Sequence, residues 1–128
     1  MDIVTKKQLN ILVQLAEADK HFAKSERDLI VKIARDKNFP EDELNSMIRN
    51  PEPIGTLGAL SNEQKFNYLL ACVDLIFVDH KVFDHELIFG RNIAFKLGFK
   101  KGALEFLIDN REKLGPSQLK SQLFSDFL

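Results

Sequence analysis

The chain has no tryptophan, a single tyrosine, a single cysteine and a formal net charge of only -1. Each shortage removes a class of function. A lone Cys72 cannot form an intramolecular disulfide, which agrees with a reducing compartment, and its place inside an apolar stretch marks it as a small core residue. Without excess positive charge there is no global electrostatic footprint for nucleic acid or for an anionic membrane. Eleven phenylalanines beside one tyrosine are more simply core packing than a platform for stacked bases. Asp74 and Asp79 interrupt the longest apolar run before it reaches the ~20 residues that span a bilayer. The first ten residues, MDIVTKKQLN, lack the basic segment followed by a continuous apolar segment of a signal peptide. The expected setting is the cytoplasm, with no direct membrane insertion. Signatures of catalysis are also missing: there is no glycine-rich phosphate loop, no HExxH, no GxSxG and no cysteine beside a base. The expectation is a non-enzymatic protein without catalytic or cofactor-binding residues.

What is present is helical periodicity. With 128 residues, 45% of them apolar, the chain reads as one domain able to bury roughly two thirds of its unfolded surface. Leu9, Leu12, Val13 and Ala16 predict a helix over about 5–18. Ser25 followed by Asp28 resembles a capping box for a second helix carrying Leu29, Ile30, Ile33 and Ala34. Glu41, Asp42 and Glu43 supply the first turn of a third, to about Arg49, with Leu44, Met47 and Ile48 inward. Residues 50–60, rich in proline and glycine, form a connector. Ser61 with Gln64 opens the most apolar helix, with an inward row of Phe66, Leu69, Leu70, Val73, Ile76 and Phe77 and with Asp74 turned to a polar partner or the surface. Helices over about 84–97, 101–113 and 116–128 follow, stopped by Gly98 and by Gly115-Pro116. Gly90 marks a close helix crossing, and Leu119, Leu123, Phe124 and Phe127 dock the last helix. The fold class is all-α, a single-domain bundle of about seven helices.

The chain also repeats itself. A shift of 60 positions pairs Leu9 with Leu69, Val13 with Val73, Leu15 with Leu75, Asp19 with Asp79, Glu26 with Glu86, Ile33 with Ile93, Ala34 with Ala94, Phe39 with Phe99 and Leu44 with Leu104. This pattern predicts two duplicated helix, acidic turn, helix units, about 5–49 and 61–113, related by pseudo-twofold symmetry. The stretch from Leu69 to Glu86, LLACVDLIFVDHKVFDHE, is the expected centre, and the acidic turn at its end is the candidate site. If the two turns converge, Asp19, Glu26, Asp79 and Glu86, with Asp84 as a fifth acid, would suit an oxygen-loving cation such as Ca²⁺ or Mg²⁺. They would equally suit a basic partner. The alternative is local capping, since a glutamate in a first turn and an aspartate at a helix end both satisfy nearby amides. His21, His80 and His85 raise a third option, a softer metal such as zinc.

The stretches LAEADKHFAKSE and FVDHKVFDHE resemble the TerB-like family of tellurite-resistance-associated, all-helical bacterial proteins with duplicated halves. In that family each unit tends to carry alanine-aspartate-glycine, an aliphatic residue two positions later and a glutamate seven after the aspartate. Ala18-Asp19, Phe22 and Glu26 fit, and Val78-Asp79, Val82 and Glu86 fit less fully; Lys20 and His80 replace the glycine, Val78 replaces the alanine, and Ala23 and Phe83 stand where the family often has a helix cap. The resemblance implies a cytoplasmic module that binds a divalent cation through acidic residues and works with protein partners at the inner face of the membrane under chemical stress. The competing expectation is a purely structural interaction module, whose acids only cap helices and whose surface groove recruits another protein.

Overall fold

A computed structural model describes residues 3–18, 23–78, 82 and 84–128. Among them the chain is all helical: α1 (Ile3–Glu17), α2 (Lys24–Asp36), α3 (Glu41–Arg49), α4 (Asn62–Phe77), α5 (Asp84–Lys96), α6 (Ala103–Asn110) and α7 (Pro116–Phe127), with no strand. No helix of the described residues is long and apolar enough to cross a membrane.

Two helices share the centre. α1 packs on α2, α3, α4 and α5, while α4 packs on α1, α5 and α6. The expectation of a single central helix therefore needs correction, because α1 buries Leu9, Ile11, Leu12, Val13, Leu15 and Ala16 as completely as α4 buries Leu69, Cys72, Val73, Leu75 and Ile76. The inward row of α4 also differs from the expected one. Tyr68 and Cys72 are buried while Leu70 and Phe77 are only half-buried, since the helix has neighbours on two sides and its buried arc is broad. Asp74 lies on the remaining side, where Arg111 donates to it at 2.9 Å and also stands 5.6 Å from the Phe77 ring centre. That polar partner is what a half-buried carboxylate needs.

Burial pushes the Cys72 thiol up to about 12 from its ordinary 9.0. The neutral thiol is the folded form, so its contribution is complete below pH 9 and declines as pH rises toward 12. Cys72 should accordingly resist a thiol reagent at pH 8 in the native protein and react fully in denaturant. Fast native labelling at that pH would contradict a packed α4.

The helix ends follow local chemistry. Ser61 accepts from the Gln64 amide at 3.2 Å, and the Gln64 side chain accepts from Ser61 N–H at 2.9 Å, closing the expected capping box. The box expected at Ser25 and Asp28 does not form. α2 starts two residues earlier, with Ala23 at its N-cap, and Asp28 instead pairs with Lys24 one turn away. α2 and α5 each end in a left-handed residue, Asn38 at φ 57° and Gly98 at φ 94°, sixty positions apart. In both, the amide of the next residue, Phe39 or Phe99, bonds back to Ala34 or Ala94. α6 starts two residues later than expected, behind Gly102 at φ 97°, and ends three residues earlier, at Asn110; Phe127 lies 3.1 Å from where a side chain at Gly102 would begin. The Lys100 amide donates to Phe127 at 2.5 Å, so the end of α7 is tied beneath that corner. Lys120 also pairs with Glu63, joining α7 to the start of α4.

The connector is strapped to α1. Asn10 donates to the Glu52 carbonyl at 2.9 Å and accepts from the Glu52 amide at 3.0 Å, and Lys6 pairs with the Glu52 carboxylate. At Gly90 a side chain would begin 3.0 Å from a Leu104 methyl, which is the close crossing of α5 and α6 that the glycine predicts.

Candidate functional site

The acidic turns come first. Asp19, His21, Asp79 and His80 lie outside the described residues, so two of the five predicted cation ligands and two of the three histidines have no described position. The rest are split. Glu26 and Glu86 are 3% and 2% exposed, whereas Asp84 and His85 are exposed in the first turn of α5. Among the described residues no three histidine, cysteine, aspartate or glutamate side chains gather into a metal-holding group.

The burial of Glu26 has a local cause. Ala23 at the N-cap carries no side-chain acceptor, and the Glu26 carboxylate reaches back to accept from the Ala23 N–H at 3.0 Å. This is the glutamate half of a capping box without its serine half. Glu86 occupies the matching third position of α5, is buried to the same degree and is also partnered. Lys24, which would offset acid in the first turn, is engaged with Asp28 at 2.9 Å.

A second feature lies at the corner of α5 and α6. Ala94, Phe95, Phe99, Gly102, Ala103 and Leu104 line a cavity of about 980 Å³ that is open to the surface. Ala94, Phe99, Ala103 and Leu104 are buried and form its floor, but Phe95 is 80% exposed. Ile88, two turns earlier on α5, is 51% exposed on the same face. Arg91, Lys100, Lys101 and Glu105 make the rim, and Arg91 and Glu105 pair at 2.7 Å. No family model, curated protein or solved structure matches this chain.

The reading of the eleven phenylalanines as core packing overlooked Phe95, which is exposed. The signal that would have found it is the repeat itself. The positions 60 residues earlier, Asp28 and Arg35, are polar where Ile88 and Phe95 are apolar. An apolar residue on a face that is polar in the helix 60 positions earlier has not been placed there by the needs of the helix.

Proposed function

We propose that this chain is a non-enzymatic protein-interaction module of TerB-like design, in which Glu26 and Glu86 close helix starts and the groove at α5 and α6 recruits a partner. The observation that carries the reading is the large exposed Phe95 over an apolar floor. Its exposure leaves it little role in holding the fold together, while aromatic anchors of this kind dominate binding surfaces. Two duplicated units are part of the proposal. Their support is the offset of 60 that carries α2 (Lys24–Asp36) onto α5 (Asp84–Lys96), together with the matching left-handed ends at Asn38 and Gly98. The resemblance of the acidic turns extends the proposal to a bacterial, cytoplasmic setting and to chemical stress, including tellurite resistance.

A second reading keeps the acidic turns as a site for Ca²⁺, Mg²⁺ or a basic partner. It is favoured by the equal burial of two glutamates at equivalent places, which local capping does not by itself demand. Against it, one Glu26 oxygen is occupied by the Ala23 N–H.

The interaction reading is tested by Phe95→Asp. The melting temperature should stay within a degree or so of the parent, because an exposed substitution changes stability by only about 0.5 kcal/mol. Affinity capture with mass spectrometry should lose a partner that the parent retains. Identical partner sets for the two proteins would remove the groove as the functional surface.

A further inference from the structure

We infer that the groove at the α5–α6 corner receives an acidic amphipathic helix of a partner protein, with an apolar side chain entering beside Phe95 and carboxylates meeting Lys100 and Lys101. The inference rests on the interaction-module reading and adds the chemistry of the occupant.

Charge chooses the sign of the partner. Arg91, Lys100 and Lys101 against the single acid Glu105 give the lining a local charge of +2, on a chain whose net charge is -1. Glu105 is spent on Arg91. Lys100 and Lys101 are exposed, and among the described residues neither takes part in an ion pair. Lys96, next to Phe95, adds a third exposed cation of the same kind. In the first half the position matching Lys101 is Glu41, so the basic rim is particular to this corner. A partner carrying acids would meet complementary potential, which governs encounter rate and choice of partner more than raw affinity.

Shape chooses the class. Small-molecule sites fix their ligand with a few polar groups converging inside the cavity. Here the polar side chains stand on the rim and the floor is Ala94, Phe99, Ala103 and Leu104. An apolar floor with charges along its edge is the arrangement that accepts an amphipathic helix by anchors at i, i+3 or i+4 and i+7. Ile88 and Phe95, seven residues apart on one face of α5, are two exposed apolar side chains at that anchor spacing, with the polar Arg91 and Asn92 between them. A flat bilayer surface would touch Phe95 without reaching the buried floor.

The test uses the full chain and a displayed library of helical peptides with fixed apolar anchors and randomised polar positions. Selected binders should be enriched in aspartate and glutamate and should shift amide resonances within residues 91–105. Phe95→Ser and the double variant Lys100→Glu with Lys101→Glu should each weaken such a binder by about tenfold or more, and the double variant should flatten its salt dependence. Unchanged melting temperatures would show that both variants fold. Groove binders without acid enrichment would overturn this inference and leave the groove reading standing. No binder that perturbs residues 91–105 would overturn both. Two further results would also overturn it: shifts at these residues with phosphatidylglycerol vesicles and with no acidic peptide, or shifts that grow with protein concentration alone, which would mark a second copy of the chain.

Discussion

Leu69→Ala is expected to lower the free energy of unfolding by about 3–5 kcal/mol, the range for a leucine removed from a core that cannot collapse onto the space. Leu69 is fully buried in α4, which has α1, α5 and α6 packed around it, so neighbours on several sides hold the cavity open. Its chain neighbour provides the control. Leu70 is half-buried and packs at the edge of the core, and Leu70→Ala should cost less than about 2 kcal/mol, because less apolar area is withdrawn from water and solvent can fill the gap. The measurement is urea denaturation with the slope m held in view, so that a change in midpoint alone reports stability. Equal losses at the two positions would mean that α4 is rotated from the orientation described.

The same pair of leucines illustrates what periodicity conveys and what it withholds. The apolar spacing of α1, α3, α4 and α7 predicted those helices to within a few residues because each hides apolar side chains at helical spacing from water. Ser61, Gln64, Gly98 and Pro116 predicted ends for the same kind of reason, since each has one dominant local use. Which of two adjacent leucines points inward was not legible, because a helix with neighbours on two sides has no single apolar face. Of the nine pairs matched at an offset of 60, seven lie wholly in the described residues and outside the turns, and all but Ile33 of those residues are buried. Repetition was therefore mostly a record of core positions. Glu26 and Glu86 shared that record for a related reason. They too are interior residues, Glu26 accepting from a backbone amide, and a glutamate is legible as an acid long before its burial is. The groove escaped notice because it arises from an absence of symmetry, Phe95 against Arg35 and Lys101 against Glu41, whereas the reading looked for sameness.

The glutamates give the second large effect, and the choice of substitution separates their two readings. Glu26→Ala takes the acceptor from the half-buried Ala23 amide and leaves a gap where a buried side chain stood, so it should cost about 1–3 kcal/mol. Glu86→Ala, at the same position of α5 and equally buried, should cost about as much. The double variant should lose about 2–6 kcal/mol if the two helix starts respond independently. Glutamine behaves differently. It keeps an acceptor oxygen within reach of the Ala23 N–H and sacrifices only the favourable charge at the helix start, worth about 0.3–1 kcal/mol. Capping therefore predicts a large alanine loss, a small glutamine loss and a melting temperature indifferent to millimolar Ca²⁺ or Mg²⁺. A shared cation reverses the last two. The parent would be stabilised by about 2.7 kcal/mol at a hundredfold excess over Kd, and a single glutamine at either position would abolish that gain without unfolding the protein. Thermal melting of the parent, both alanine variants and both glutamine variants, with and without each ion, reads the two outcomes directly. A cation-dependent rise that vanishes in Glu26→Gln would turn the candidate site from the α5–α6 corner back to the acidic turns.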